Sequence, residues 1–190
     1  MTMRIIAGEF RGYRIETLKS SQTRPTLDQV KESLFNALGQ FFQGGLVLDL
    51  YAGSGNLGLE ALSRGFDQAV FVDRYRPAIQ VIQSNIARLG VQERAVIYKR
   101  DAMKVLPLLK EKGYRFDLIL LDPPFQTQPF SDLLPLISTL DLLTDDGHVV
   151  CETAKDTVLE DRYLTLVKYR EYVYGTTKLT IFQKEGVAIE

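Results

Sequence analysis

Tryptophan is absent from the 190 residues, and histidine and cysteine each occur once, as His148 and Cys151. A lone thiol cannot close an internal disulfide, and with one imidazole it cannot assemble the usual Cys/His zinc site, so no metal is expected. Nothing near Cys151 in sequence would lower its pKa, which makes it a buried small side chain rather than a nucleophile. Long apolar runs are missing too. None approaches the length that spans a bilayer, and the Met1-Thr2-Met3-Arg4 start lacks the apolar stretch of a secretory signal. The expectation is a cytoplasmic protein with no membrane association and no obligate protein partner. An excess of either charge is also lacking. With 23 Lys+Arg against 24 Asp+Glu the net charge is −1, so the global basic footprint of a nucleic-acid binder is missing and any such role must rest on local charge.

What the chain does have is 45% hydrophobic residues and a length that suits one core, burying about 70% of the surface its unfolded form exposes. Two short extended runs, Arg4-Ile5-Ile6-Ala7 and Tyr13-Arg14-Ile15-Glu16, are separated by a stretch bounded by Gly8 and Gly12 and predict a small hairpin. Thr26 with Gln29 three residues later forms a capping box. Leu27, Val30, Leu34, Leu38 and Phe41 then recur at helical spacing, which predicts a helix from about Thr26 to Phe41. After Gly44-Gly45, apolar runs at 46–48, 69–72, 95–97 and 118–121 alternate with amphipathic segments, one of them starting at Pro77 with Ile79, Ile82, Ile86 and Leu89 on one face. Runs buried on both faces and joined by helical crossovers imply a mostly parallel sheet with helices on both sides, an α/β fold. Beyond Asp145-Asp146-Gly147 come a run from His148 to Glu152 and two more around 164–167 and 178–182, which predict an antiparallel pair at one edge.

Ligands of an open parallel sheet bind outside the carboxyl ends of the strands, so the residues following each run carry the functional information. The first run delivers Asp49 and then Gly53-Ser54-Gly55 and Gly58, the second Asp73, the third Asp101-Ala102, and the fourth Asp122-Pro123-Pro124-Phe125. Glycines at 53, 55 and 58 match the G-x-G-x-x-G turn, with Asp73 spaced to accept from ribose hydroxyls, so a dinucleotide such as NAD remains open at this point. Two features tilt the choice toward S-adenosylmethionine (SAM). Asp49 is poorly placed beside an anionic pyrophosphate but well placed near a sulfonium and an ammonium, and Asp101 suits the exocyclic amine of adenine.

The tetrapeptide Asp122-Pro123-Pro124-Phe125 ends a buried run with two prolines, which fix a rigid exit and remove two backbone donors. What remains is acceptors, suited to a substrate that offers an NH2 group, with Phe125 as a face for a planar base. Acceptors holding the protons of an aromatic amine favour the pyramidal nitrogen that attacks a methyl group, and Asp122 can take the proton as the bond forms. The pocket chemistry alone admits adenine N6 in DNA or RNA as well as guanine N2.

Asp49-x-x-Ala-Gly-Ser-Gly, Asp73, Asp101-Ala102 and Asp122-Pro-Pro-Phe together resemble the class I SAM-dependent methyltransferases that modify exocyclic amines of nucleobases. With Arg4-Ile5-Ile6-Ala7-Gly8, Phe10-Arg11-Gly12, Thr23-Arg24-Pro25-Thr26, Gly58-Leu59-Glu60-Ala61-Leu62-Ser63-Arg64-Gly65 and Tyr174-Gly175-Thr176-Thr177 added, the chain resembles the RsmD-type 16S rRNA (guanine-N2)-methyltransferases over nearly its whole length. The resemblance implies a single Rossmann-like methyltransferase domain over 1–190, with a seven-stranded sheet that has one antiparallel edge strand. Residues 1–25 would form an RNA-engaging hairpin extension. It also implies SAM as the methyl donor and 16S rRNA or the small ribosomal subunit as partner. Gly53, Ser54 and Gly55 would lie under the methionine part of SAM, Asp73 would hold the ribose, Asp101 and Ala102 would meet the adenine, and Asp122 would hold the guanine amine. Phe125 stands where this family more usually has Tyr, which keeps stacking and loses a hydroxyl. Arg4, Arg11, Arg14 and Arg24 would neutralise phosphates. His148 has no task in such chemistry and is expected to be structural.

Overall fold

The four apolar runs become neighbouring parallel strands in a computed structural model that describes residues 2–18 and 25–186. They are β3 (Leu46–Asp49), β4 (Gln68–Asp73), β5 (Ala95–Lys99) and β6 (Phe116–Leu121), joined through α2 (Asn56–Ser63), α3 (Arg76–Leu89) and α4 (Ala102–Glu111). Chain order continues through α5 (Phe130–Thr139), β7 (Leu143–Ala154), β8 (Arg162–Tyr163), β9 (Leu166–Tyr174) and β10 (Thr177–Lys184). The sheet order is β5-β4-β3-β6-β7-β10-β9-β8, with β5 to β7 all parallel.

Alternation along the strands explains why helices cover both faces. Val47 and Phe71 point into one buried cluster with Leu34, Phe35, Leu59, Leu62, Ile82 and Ile86. Leu48, Val70 and Val72 point into the other, with Val105, Leu106, Leu109, Leu133 and Ile137. A strand whose successive side chains are all buried needs cover on each side, and the crossover helices provide it.

Several details differ from the sequence reading. The antiparallel strand of the seven-stranded sheet is β10, which lies inside it between β7 and β9, and a two-residue strand, β8, extends the edge to eight. β7 starts at Leu143, ahead of the Asp145-Asp146-Gly147 turn signal that was expected to precede it, because its first residues pair with Phe116 before a register shift. The first helix, α1 (Pro25–Leu38), begins one residue before the expected Thr26 cap and stops short of Phe41. Gly39 and Gln40 there adopt φ of 121° and 66°, which ends the helix and leaves Phe41 exposed. The hairpin is β1 (Thr2–Arg4) with β2 (Arg14–Glu16), its first strand shifted toward the N-terminus, with Arg4 directly opposite Arg14.

The hairpin is not a free arm. Ile5 and Ile15 are fully buried in the same cluster as α1 to α3. A buried polar network fastens it: Glu60 on α2 accepts from the backbone N–H groups of Ile6 (2.9 Å) and Ala7 (3.2 Å), while its carboxylate pairs with Lys31 Nζ (3.0 Å) and Arg64 Nε (2.9 Å). Lys31 in turn donates to the Arg4 carbonyl and to Asn56 Oδ1, both at 2.8 Å. A buried lysine without such acceptors would be prohibitively costly, and burial still pulls its pKa down against the opposing pull of Glu60. No described helix is long and apolar enough to cross a membrane.

Candidate active site

The carboxyl ends of β3, β6 and β7 open onto a cavity of about 230 Å³, closed on its far side by Val30, Lys31 and Leu34 of α1 and by Met3 of the hairpin. Of the residues singled out in sequence, Asp49, Gly53, Ser54 and Asp122 line it, joined by Tyr51 and Glu152.

Three side chains fix the glycine-rich turn, two accepting and one donating. Asp73 Oδ2 accepts from the Gly53 N–H at 2.9 Å, and its other oxygen accepts from the Tyr75 N–H. Asn85 donates to the Ser54 carbonyl at 2.9 Å and to the Glu16 carbonyl at 3.0 Å, so one side chain ties the turn to the hairpin. Asp49 Oδ2 accepts from the Gly58 N–H at 2.9 Å. Gly53 and Gly55 take left-handed φ of 57° and 84°, and a Cβ on Gly53 would meet nothing within 4 Å, so the backbone there faces open space. Gly58 serves packing instead: a Cβ there would lie 2.4 Å from the ring of Phe71 on β4.

Asp49 is only 1% exposed, and burial pushes its carboxyl up to about 7, opposed by the Gly58 N–H and reinforced by the charges of Asp122 and Asp73. Tyr51 is pushed up to about 12 by burial, with Asp101 adding to the shift and Arg74 opposing it. Asp101 caps α4 by accepting from the Met103 N–H at 3.0 Å, and Ala102 opens that helix. Both lie at the end of β5 as expected, outside the lining of the cavity.

Asp122 follows β6, and the parallel register of Leu121 with Cys151 sets it beside Glu152 on β7. The two carboxyls are hydrogen-bonded to each other. Asp122 is raised well above the usual carboxylate range by burial and then by the adjacent Glu152; Glu152 is raised by burial while its bond to Asp122 pulls the other way. Two carboxyls side by side cannot both ionise cheaply, so each favours the protonated form of the other. Pro123, Pro124 and Phe125 line a small adjoining cleft that also includes Glu152, with Phe125 38% exposed. The Pro124 carbonyl accepts from both the backbone N–H (3.1 Å) and the hydroxyl (2.9 Å) of Thr127.

Sequence reasoning missed Glu152, Lys31, Glu60 and Asn85. Glu152 obeys the strand-end rule, but only the pairing of β7 with β6 shows that its end reaches this rim. Arg4, Arg11 and Arg14 are exposed on the hairpin; Arg4 and Arg11 edge a second cleft of about 300 Å³ that also carries Asp28 and Glu32. Arg4 lies 4.0 Å from Asp28, so its charge is partly met within the chain. Arg24 falls outside the described residues. His148 stacks obliquely on Tyr169, remote from the cavity lining, and Cys151 is buried with its thiol pushed up by burial.

A model of the family described as "Conserved hypothetical protein 95" matches residues 3–183. The chain is 42% identical over 184 residues to "Putative rRNA methyltransferase YlbH" of Bacillus subtilis, covering 97% of this chain and 100% of the relative. It is 32% identical to "Ribosomal RNA small subunit methyltransferase D" of Escherichia coli, covering 97% of this chain and 91% of that one. The solved structure described as "Putative methyltransferase yhhF from Escherichia coli" superposes with a TM-score of 0.83 at 30% identity, covering 98% of this chain and all of that one.

Proposed function

The chain is a methyltransferase that belongs to the family described as Conserved hypothetical protein 95, and from that premise we propose that it transfers a methyl group from SAM to the exocyclic N2 amine of a guanine in small-subunit ribosomal RNA. The observation that carries the reading is the single cavity wall on which buried Asp49 and the Asp122–Glu152 pair converge. This acceptor set fits a cationic methyl donor and a substrate amine. It opposes a pyrophosphate, which would face three carboxyls, so the dinucleotide reading of the glycine turn is set aside.

SAM supplies, when bound, an electrophilic methyl on a sulfonium. Around it, Gly53 and Ser54 would give an open backbone surface, with Gly55 supporting the turn from the core side, Asp49 a buried negative charge, and Asp73 and Asp101 acceptors for hydroxyl and amine groups. The chain then has to present the base. Phe125 offers an exposed ring face for stacking, while Asp122 and the Pro123 carbonyl accept the two protons of the amine and turn its lone pair outward. Transfer of the methyl would break its bond to sulfur and leave a neutral thioether, while the Asp122–Glu152 pair would take the proton that the amine gives up and return it to water. A base inside a helix cannot enter this rim, so the target must be unstacked or single-stranded, and the exposed Arg4, Arg11 and Arg14 would contact phosphates around it.

The test is methyl transfer from labelled SAM into unmodified small subunits, naked 16S rRNA and duplex DNA, with nucleoside analysis of the product. Label is expected in N2-methylguanosine of the ribosomal substrates and is expected to fall at least about a hundredfold in Asp122→Ala, with SAM affinity retained. Label in N6-methyladenine would overturn the guanine assignment, and undiminished transfer by Asp122→Ala would overturn the role of Asp122.

A further inference from the structure

Glu152 sits where the two halves of the site meet. It lines the 230 Å³ cavity beside Asp49 and Ser54 and also the cleft formed by Pro123, Pro124 and Phe125. The register that pairs Leu121 with Cys151 makes Asp122 and Glu152 lateral neighbours, hydrogen-bonded to each other. Among the described residues neither carboxyl is paired with a cation, and neither is Asp49 on the same cavity, in contrast to buried Glu60, which has Lys31 and Arg64. A carboxyl at 9% exposure without a cation or a backbone donor is left with oxygens free to accept from a ligand. Ionised, or sharing a proton between them, the two carboxyls present their outward oxygens as acceptors.

The Watson–Crick edge of guanine presents two donors in a row, N1–H and N2–H2. Adenine presents one donor, N6–H2, beside an acceptor, N1. Two adjacent acceptors match the first edge and oppose a lone pair of the second. We infer that Glu152 selects guanine: its carboxyl accepts from guanine N1–H while Asp122 accepts from the neighbouring N2 amine. No bond to carbon is made or broken at Glu152, which works by recognition. The inference rests on the guanine-N2 reading above and adds to it the residue that sets the choice of base.

The decisive probe is 2-aminopurine, which keeps the exocyclic amine at C2 but has an unprotonated N1. Small-subunit RNA is prepared with 2-aminopurine in place of the methylated guanine, at the position mapped by nucleoside analysis, and kcat/KM for the two RNAs is compared in wild type, Glu152→Ala and Glu152→Gln. Wild type is expected to prefer guanine by at least about a hundredfold, since a site built around a donor rejects the analogue that lacks it. In Glu152→Ala the preference is expected to fall below about tenfold. Glu152→Gln keeps the volume and a bond to Asp122 but presents a neutral acceptor, so its preference should drop by about tenfold. SAM affinity and the melting temperature report folding of each variant. If both variants lose activity equally on the two RNAs and the preference is unchanged, Glu152 does not read N1–H and this inference alone fails. If wild type methylates no guanine, the functional reading fails and takes the inference with it.

Discussion

Neutralising Glu60 is the most direct test of how this fold is fastened. The carboxylate accepts from four donors, Lys31 Nζ, Arg64 Nε and the N–H groups of Ile6 and Ala7, at 2.9 to 3.2 Å, and the three side chains are at most 2% exposed. Glu60→Gln keeps the shape but leaves two buried cations facing a neutral amide, one of whose atoms is itself a donor. Breaking a buried pair in this way costs about 3–5 kcal/mol. At roughly 2–4 °C per kcal/mol for a domain of this length, the melting temperature should fall by roughly 6–20 °C. The exposed Arg162–Glu185 pair, at a similar 3.0 Å, is the control: Arg162→Ala should leave the melting temperature nearly unchanged, because solvent screens both charges. The loss should also be uneven. Ile6 and Ala7 lie in the loop between β1 and β2 that Glu60 ties to α2, so hydrogen exchange at those two amides should accelerate first, and methylation of ribosomal RNA should fall further than SAM affinity. Thermal unfolding of both variants with exchange measurements on Glu60→Gln checks this. A melting temperature within about 2 °C of wild type would refute the claim that the Glu60 network carries the hairpin.

Two further outcomes follow from the cofactor side. Burial holds Asp49 up to about 7, so below that pH the empty protein carries a proton there that a cationic ligand must displace. SAM affinity is expected to rise with pH, by up to about tenfold per unit below 7, and to level off above it. The empty fold itself should lose stability as pH climbs from the usual carboxylate range toward 7, because the raised pKa means the folded state binds the extra proton. Titration calorimetry of wild type and Asp49→Asn, whose profile should be flatter, settles the matter, and a wild-type affinity independent of pH sinks it. Gly58→Ala drives a Cβ to 2.4 Å from Phe71, displacing α2 from β4 and with it the N–H that Asp49 accepts. Overpacking of this kind costs about 1–3 kcal/mol, and SAM affinity should drop with the stability. Urea denaturation together with calorimetry reads both, and wild-type values for both would show that the helix–strand contact tolerates the methyl group.

The strand ends at Asp49, Asp73, Asp101 and Asp122 were legible in the sequence because each follows an apolar run, largely buried in β3, β4 and β6 and half-exposed in the edge strand β5, and a parallel sheet presents all such ends on one rim. The glycine turn was legible for the same reason, since only glycine takes the φ that Gly53 and Gly55 adopt without strain. Helix and strand limits were less so. Gly39 and Gln40 cut α1 short although the apolar spacing runs on to Phe41, and β7 takes in a turn-forming Asp-Asp-Gly because the neighbouring β6 offers partners for its first residues.

Local pattern therefore determined the α/β class, the rim and four of the acids on it, because those depend on periodicity and on what single residue types can do. Partnership across the sheet and across the hairpin was decided only by the tertiary structure. Glu152 joins Asp122 through the β6–β7 register, Lys31 and Glu60 meet over a separation of 29 residues, and Asn85 bridges the hairpin and the glycine turn. Each of these contacts is a charge or hydrogen bond between groups far apart in the chain, and no local spacing encodes it. Their energies come from burial, which exists only once the layers have packed.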